Sequence, residues 1–141
     1  MMPRLLQLIT LSLLLCLCAC DPNSQAVASA SNSDALYQAW QQQRSAVQVH
    51  GRGVVTRVLP DDTKGSQHQR FILQISPQQT LLIAHNIDLA PRLPNLQRGD
   101  SVEFYGQYEW NPQGGVVHWT HKDPRGRHAH GWLRYDDQQY W

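Results

Sequence analysis

The sequence predicts a mostly β domain of five strands preceded by one α-helix. After residue 46, apolar side chains recur at every second position over most of the chain, which is the period of a half-buried strand. Clusters of proline, glycine, asparagine and aspartate interrupt this alternation and are typical of turns between strands. The chain has 141 residues, enough for one buried core, and we expect a single globular domain at residues 34–141.

The first 20 residues predict a secretion signal of the lipoprotein type. Arg4 precedes an apolar run from Leu5 to Leu17, which is too short to remain in a bilayer as a membrane-spanning helix. The run ends in LCAC, residues 17–20, which resembles the lipobox of bacterial lipoproteins. This resemblance implies cleavage after residue 19 and acylation of Cys20, for example with palmitate. A plain cleaved signal peptide is the alternative.

A lipid on Cys20 implies a bacterial envelope protein that faces the periplasm, and Asp21 after it implies retention at the inner membrane. Cleavage removes Arg4 and leaves 11 basic against 11 acidic side chains. Because a neutral chain has no general attraction for nucleic acid or anionic lipid, the charge gives no strong sign of a nucleic-acid partner, and any charge-driven binding must come from a local patch. We expect the membrane contact to be made through the N-terminal lipid. The three cysteines lie at residues 16, 18 and 20, so no disulfide is expected in the domain.

The segment between the lipid and the domain predicts a tether followed by a helix. Residues 20–33 contain one sizeable apolar side chain beyond the cysteine, Val27, which is typical of a flexible linker. Ser33 can cap a helix from Asp34 to Arg44, whose charged ends match the helix dipole. An apolar stripe at helical spacing should pack this helix on the domain; it comprises Leu36, Tyr37 and Trp40.

The five predicted strands then follow in order. The first is long and carries Gly51 and Gly53, where a strand can bend sharply. The connection Asp88–Gln97 contains two prolines and cannot be a regular strand; within it we expect Asp88 and Arg92 to form an ion pair. The strands are predicted at Val47–Leu59, around Phe71, Leu73 and Ile75, and at Thr80–Ile87, Ser101–Trp110 and Val116–Thr120.

The layout of these strands points to a small closed barrel. The segment LQRGDSVEFYGQY, Leu96–Tyr108, resembles the fourth-strand region of OB-fold proteins. A long, bent first strand and a larger connection between the third and fourth strands fit that five-stranded barrel. An open sandwich would produce nearly the same sequence pattern and remains the alternative.

Several segments together resemble a family of small bacterial envelope proteins that share a domain of unknown function. The segments are HQRFIL at His68–Leu73, LIAHNIDLAPR at Leu82–Arg92, GGVVHWTHKDPRGRH at Gly114–His128 and GW at Gly131–Trp132. They extend over nearly all of the domain and include an HWTHxDPxGRH...GW signature. The resemblance implies family membership and carries no activity with it.

The segment His118–Trp132 is the candidate site, because it holds four of the seven histidines. A metal site is one interpretation, with zinc held by His118, His121 and His128. Two observations oppose it. Side chains three apart in a strand point to opposite faces, which would separate His118 from His121. The segment also carries a net charge of +2, with Lys122, Arg125 and Arg127 against Asp123, and so repels a cation.

The same charges favour an anion, which is the interpretation we prefer from sequence. The segment Asp123–Arg127 is typical of a tight turn in which glycine lets backbone amides converge. Its two arginines can each bind a carboxylate or phosphate through two hydrogen bonds. The predicted ligand is therefore a small or polymeric anion. The predicted ligand-binding residues are His118, His121, Asp123, Arg125, Arg127 and His128, with a second cluster at His68, Arg70 and His85.

Two further hypotheses stay open. The segment GVVTRVLPDDT, Gly53–Thr63, weakly resembles the first strand and acidic loop of staphylococcal-nuclease-like domains, which implies a metal-dependent phosphodiester hydrolase. In that case Asp61 or Asp62 would hold a cation and Arg70 or Arg125 would stabilise the transition state. The other hypothesis is structural, with the histidines and Asp123 locking the C-terminal tail in a buried network. A binding or accessory module is favoured over an enzyme.

Overall fold

The computed structural model describes residues 34–141. The predicted signal, Cys20, the tether and the capping residue Ser33 lie outside the described residues. One helix, α1, occupies residues 34–41. Seven strands follow: β1 at Val47–Asp62, β2 at His68–Ser76, β3 at Gln79–Asn86, β4 at Ser101–Glu109, β5 at Val116–His118, β6 at Trp132–Tyr135 and β7 at Gln138–Tyr140.

Five of the strands pair in a closed ring around the core. β1 pairs antiparallel with β4 from Val47 to Val54 and with β2 from Val54 to Asp62, so one long strand joins both edges. β2 pairs with β3, β3 runs parallel to β5, and β5 returns antiparallel to β4. The predicted mostly β domain, with five strands in a ring and one N-terminal helix, is therefore confirmed.

Two glycines allow β1 to pass between its neighbours. A Cβ atom at Gly51 would lie 2.6 Å from the Phe104 ring, and one at Gly53 would lie 2.8 Å from the Gln74 carbonyl oxygen. Real Cβ atoms do not approach other heavy atoms so closely, so both positions require glycine. The change of partner is followed by a bulge between Val55 and Arg57, which increases the local twist of the strand.

The core lies inside the ring, and α1 packs against it. Leu36 and Ala39 are fully buried and Trp40 is partly buried, whereas Tyr37 is 50% exposed. The predicted stripe is thus correct in direction, but Ala39 takes the place expected for Tyr37. The helix also ends at residue 41 rather than at Arg44. Within residues 34–141, no helix has the length and apolar character needed to cross a membrane.

The C-terminal tail forms a hairpin that the sequence prediction of five strands did not include. β6 pairs with β4, with Leu133 opposite Phe104, and β7 pairs with β6. Asp136 and Asp137 connect the two strands and both have positive φ, at 51° and 57°, a conformation that aspartate tolerates in tight hairpin turns. The strands have four and three residues, too few for alternation to indicate them.

The loop before β4 is held differently from the prediction. Arg92 forms its ion pair with Asp61, at the end of β1, rather than with Asp88. The Asp88 carboxylate instead accepts a hydrogen bond from the Gln67 amide at 2.8 Å. Four residues of separation place two side chains together only on a helix, and this connection is not helical.

Candidate functional site

The end of β5 brings two histidines into one cavity. β5 stops at His118, and Trp119 then adopts a positive φ of 55°. Because the extended backbone ends there, the expectation that His118 and His121 point to opposite faces is wrong. Both line a cavity of about 180 Å³, together with His68 from the outer face of β2.

A second cavity adjoins the first on the outer surface of the barrel. It measures about 320 Å³ and shares His68, Ala84 and His118 with the smaller one. We call the two cavities together the histidine groove. Its other lining residues are Asp62, Arg70, Glu109 and Val116 at one end and Asn86, Leu89, Trp119 and His121 at the other.

The hydrogen bonds of the groove histidines determine which ring nitrogen carries the proton. His121 Nδ1 lies 2.7 Å from the Lys122 carbonyl oxygen, which accepts only, so Nδ1 donates. His118 Nε2 lies 3.4 Å from Glu109 Oε1. Burial alone would raise the pKa of Glu109, but hydrogen bonds from Gln107 and His118 lower it, so this carboxylate is an ionised acceptor. His118 therefore donates through Nε2.

His85 lies beneath the groove, on the inner face of β3, and is completely sealed from solvent. Its Nδ1 pairs with the Thr120 hydroxyl at 2.8 Å, and its Nε2 donates to the Pro91 carbonyl oxygen at 3.0 Å. Burial lowers the pKa of His85 to about 4, so the ring is neutral at pH 7. The predicted second cluster is thus divided between two faces, with His68 and Arg70 in the groove and His85 in the core.

Asp123 organises the loop between β5 and β6. Its carboxylate accepts hydrogen bonds from the amides of Arg125, Arg127 and His128 at 2.9, 2.7 and 2.9 Å. These bonds, that of Arg125 first, lower the pKa of Asp123. Gly126 has the positive φ of 62° that closes the turn. The amides predicted to converge on an external anion do converge, but on the side chain of Asp123.

The remaining candidate residues of this loop lie outside the groove. The side chains of Arg125 and Arg127 are exposed and line neither of its cavities. The His128 ring stacks on Trp119 at 4.2 Å between ring centroids. Each ring nitrogen of His128 faces an oxygen atom of the protein, Nδ1 the Ala129 carbonyl oxygen at 2.8 Å and Nε2 Gln107 Oε1 at 2.6 Å. His128 therefore holds the loop against β4 and is not available to a ligand in the groove.

The residues named for phosphodiester hydrolysis are engaged elsewhere. Asp61 is paired with Arg92. Arg70 donates through Nε and Nη2 to the Pro60 carbonyl oxygen at 3.1 and 3.0 Å. Asp62 lines the larger cavity but also accepts a hydrogen bond from the Lys64 amide at 3.1 Å. These contacts shape the loop after β1, and the two carboxylates that line the larger cavity, Asp62 and Glu109, both already accept hydrogen bonds from protein donors.

Sequence reasoning missed three residues that shape the site: Trp119, Gln107 and Glu109. Gln107 bridges the loop to the groove, since its Nε2 donates to Glu109 Oε1 at 2.6 Å while its Oε1 accepts from His128. The alternation of β4, with Phe104 inside, would place both residues on the outer face. Their position beside β5 depends on strand pairing, which alternation does not reveal.

The described residues contain no ready-made metal centre. Among residues 34–141, no three histidine, cysteine, aspartate or glutamate side chains are grouped closely enough to hold an ion as they stand. His68, His118 and His121 share a cavity without meeting this condition. An ion bound by all three would require at least one of the rings to turn.

Comparison with known proteins identifies the family of the chain. No curated protein matches it at a significant level. The family described as "Protein of unknown function (DUF3465)" matches residues 16–141, which include every described residue of the barrel and the groove. The chain belongs to this family, DUF3465.

Proposed function

We propose that this protein is a ligand-binding module of the bacterial envelope, anchored by a lipid on Cys20, that holds a small ligand in the histidine groove. The observation that carries the proposal is the convergence of His68, His118 and His121, from β2, β5 and the loop after β5, on one cavity. Sites for small molecules are concave and combine apolar walls with a few polar groups. The groove has both, with Ala84, Leu89 and Trp119 beside the three imidazoles.

Binding is favoured over catalysis because the groove lacks an assembled set of reacting groups. A nucleophile activated by a base, or a pair of carboxylates, is the usual sign of acid–base or covalent catalysis. Glu109 is the carboxylate nearest to a groove histidine by hydrogen bonding, and it is occupied by Gln107, His118 and the Ala46 amide. Such an arrangement orients His118, and Glu109 is not itself free to act as a base or nucleophile.

An anion could bind at the Asp123 loop or in the groove, and the two positions offer it different partners. The loop amides are filled by Asp123, so an anion at that loop would have only the exposed side chains of Arg125 and Arg127 to bind. In the groove, an anion would meet Arg70 together with Asp62 and Glu109. The balance of charge in the groove therefore does not select an anion, and the preferred position for a ligand is beside the three histidines.

Nuclear magnetic resonance of the full chain in detergent micelles can test this function. Histidine-labelled protein, purified without a histidine tag, would be titrated separately with inorganic phosphate, citrate, glycine and zinc chloride. At least one probe should shift the ring signals of His68, His118 and His121 and leave those of His50 and His130 in place, because these two do not line the groove.

Two results would contradict the proposal. One is that no probe moves the groove histidines. The other is that binding moves the ring signals of His128 and His130 instead, which would place the ligand on the loop that carries Arg125 and Arg127. Arg125→Ala with Arg127→Ala serves as the matched variant: it should leave groove binding unchanged, since neither side chain lines the groove.

A further inference from the structure

The hydrogen bonds of the groove leave two imidazole lone pairs open. His121 donates through Nδ1 to Lys122 and His118 donates through Nε2 to Glu109, so the acceptor nitrogens are His121 Nε2 and His118 Nδ1. Among residues 34–141, the only buried side-chain nitrogen or oxygen without a partner is Gln48 Nε2. Neither acceptor nitrogen is therefore sealed in the protein, and both residues line the smaller cavity.

An open lone pair on an imidazole nitrogen is suited to a cation or a hydrogen-bond donor. Metal-binding histidines characteristically donate their other ring N–H to a carbonyl or carboxylate, which fixes the tautomer and orients the ring. His121 has a carbonyl in this position and His118 has a carboxylate. The two rings thus already make the outer contacts that such ligands make.

The local charge also differs from the expectation based on sequence. Lys122, Arg125 and Arg127 line neither groove cavity. Lys122 Nζ instead lies 3.7 Å from the centroid of the Trp141 ring. The charged side chains that line the groove are Arg70, Asp62 and Glu109, so the net charge of +2 over the loop segment does not describe the charge of the groove.

We propose that the ligand of the histidine groove is a divalent transition-metal ion, held by His118 Nδ1 and His121 Nε2, with His68 as the third ligand. This inference rests on the proposed function of the groove. Imidazole ligands suit zinc, copper and nickel. The smaller cavity has a volume of about 180 Å³, which leaves room for the His68 ring to turn toward an ion on His118 and His121 and for a water molecule or an organic ligand to complete the coordination.

The tautomers can be measured before any metal is added. Two-bond ¹H–¹⁵N correlation spectra of the full chain in micelles should show His118 protonated at Nε2 and His121 protonated at Nδ1. Zinc chloride should then shift the signals of His118 Nδ1, His121 Nε2 and the His68 ring. The opposite tautomer at either His118 or His121 would overturn the proposed ligand set.

Calorimetric titration with zinc chloride provides the second test. His118→Ala with His121→Ala should weaken binding by about 100-fold or more, while Glu109→Gln, which removes an outer contact, should weaken it by about 10-fold. His130→Ala is the matched control, because His130 is an exposed histidine of the same loop and lines neither cavity. Unchanged amide spectra would show that the variants remain folded.

The outcomes separate the two proposals. Equal zinc affinity in the double variant and in the parent chain, or no zinc binding at all, would overturn the metal site. If zinc does not bind but phosphate, citrate or glycine shifts the signals of the groove histidines, the binding function stands and the metal inference is wrong. If no probe moves these histidines, both proposals fall.

Discussion

The inner and outer faces of the same barrel wall use histidine in opposite ways. On the inner face, His85 has both ring nitrogens bonded to protein atoms and no contact with solvent. On the outer face, His118 and His121 each have one bonded nitrogen and one open nitrogen. The difference between a structural and a binding histidine here is thus the number of satisfied nitrogens rather than the burial of the ring, since His121 is itself only 4% exposed.

Replacing the sealed histidine should have the largest effect on stability. His85→Leu would leave the Thr120 hydroxyl without a partner in the core and would remove the hydrogen bond to the carbonyl of the exposed Pro91. A buried polar group without a partner costs about 2 kcal/mol and a lost hydrogen bond about 1 kcal/mol, so the free energy of unfolding should fall by about 3 kcal/mol. Chemical denaturation measures this loss.

His118→Leu is the matched variant on the outer face. It removes one long hydrogen bond to Glu109 at a half-buried position, and its effect should stay within about 0.5 kcal/mol. Equal losses for the two variants would mean that both histidines are structural and would remove the contrast between the faces.

As the pH is lowered, the free energy of unfolding should first decrease because of His85, on the inner face. The unfolded chain protonates His85 below pH 6.5, whereas burial lowers the pKa in the folded chain to about 4. The unfolded state therefore binds the extra proton between these values, and stability that is complete above pH 6.5 should decrease by about 3 kcal/mol as the pH falls to 4. Denaturation at a series of pH values measures this slope.

Above pH 4.5, the loss of stability from protonation of His85 can be measured separately from the effects of the carboxyl groups. Groups whose pKa the fold lowers, such as Glu109, change stability only below their ordinary value of 4.5. His85→Gln, which does not titrate, should flatten the curve between pH 4.5 and 6.5. A slope that survives in this variant would assign the effect to another histidine.

The sequence was sufficient for the ring of strands and insufficient for the groove. Strands β1 to β4 are long enough for alternation to identify them, and the turn residues 111–115 marked the start of β5. Glycines at 51 and 53 correctly marked the place where β1 changes partner. The groove depends on two non-local facts. β3 and β5 pair in parallel, which brings Ala84 beside His118, and Trp119 ends β5 with a positive φ.

The Asp123 loop illustrates the same limit. Its turn residues predicted converging amides, and the amides converge. The sequence pattern did not reveal that the acceptor is already present. A turn whose own aspartate accepts these hydrogen bonds and a turn with an empty anion site can have the same sequence pattern. In physical terms, the choice depends on the rotamer of one side chain.

Removing the negative charge of Asp123 should loosen the outer site and leave the inner one intact. In Asp123→Asn, an NH₂ group replaces one of the two oxygens and faces backbone donors instead of accepting from them. The amides of Arg125, Arg127 and His128 should then exchange with deuterium faster, and Trp119 should lose its regular stack on His128. The backbone amide of His85, in β3, should keep its protection from deuterium exchange. Asp137→Asn is the control, because this exposed turn residue has a positive φ that asparagine adopts readily. Faster exchange at His85 as well would show that loop and core unfold as one unit, and the two faces would then no longer be independent.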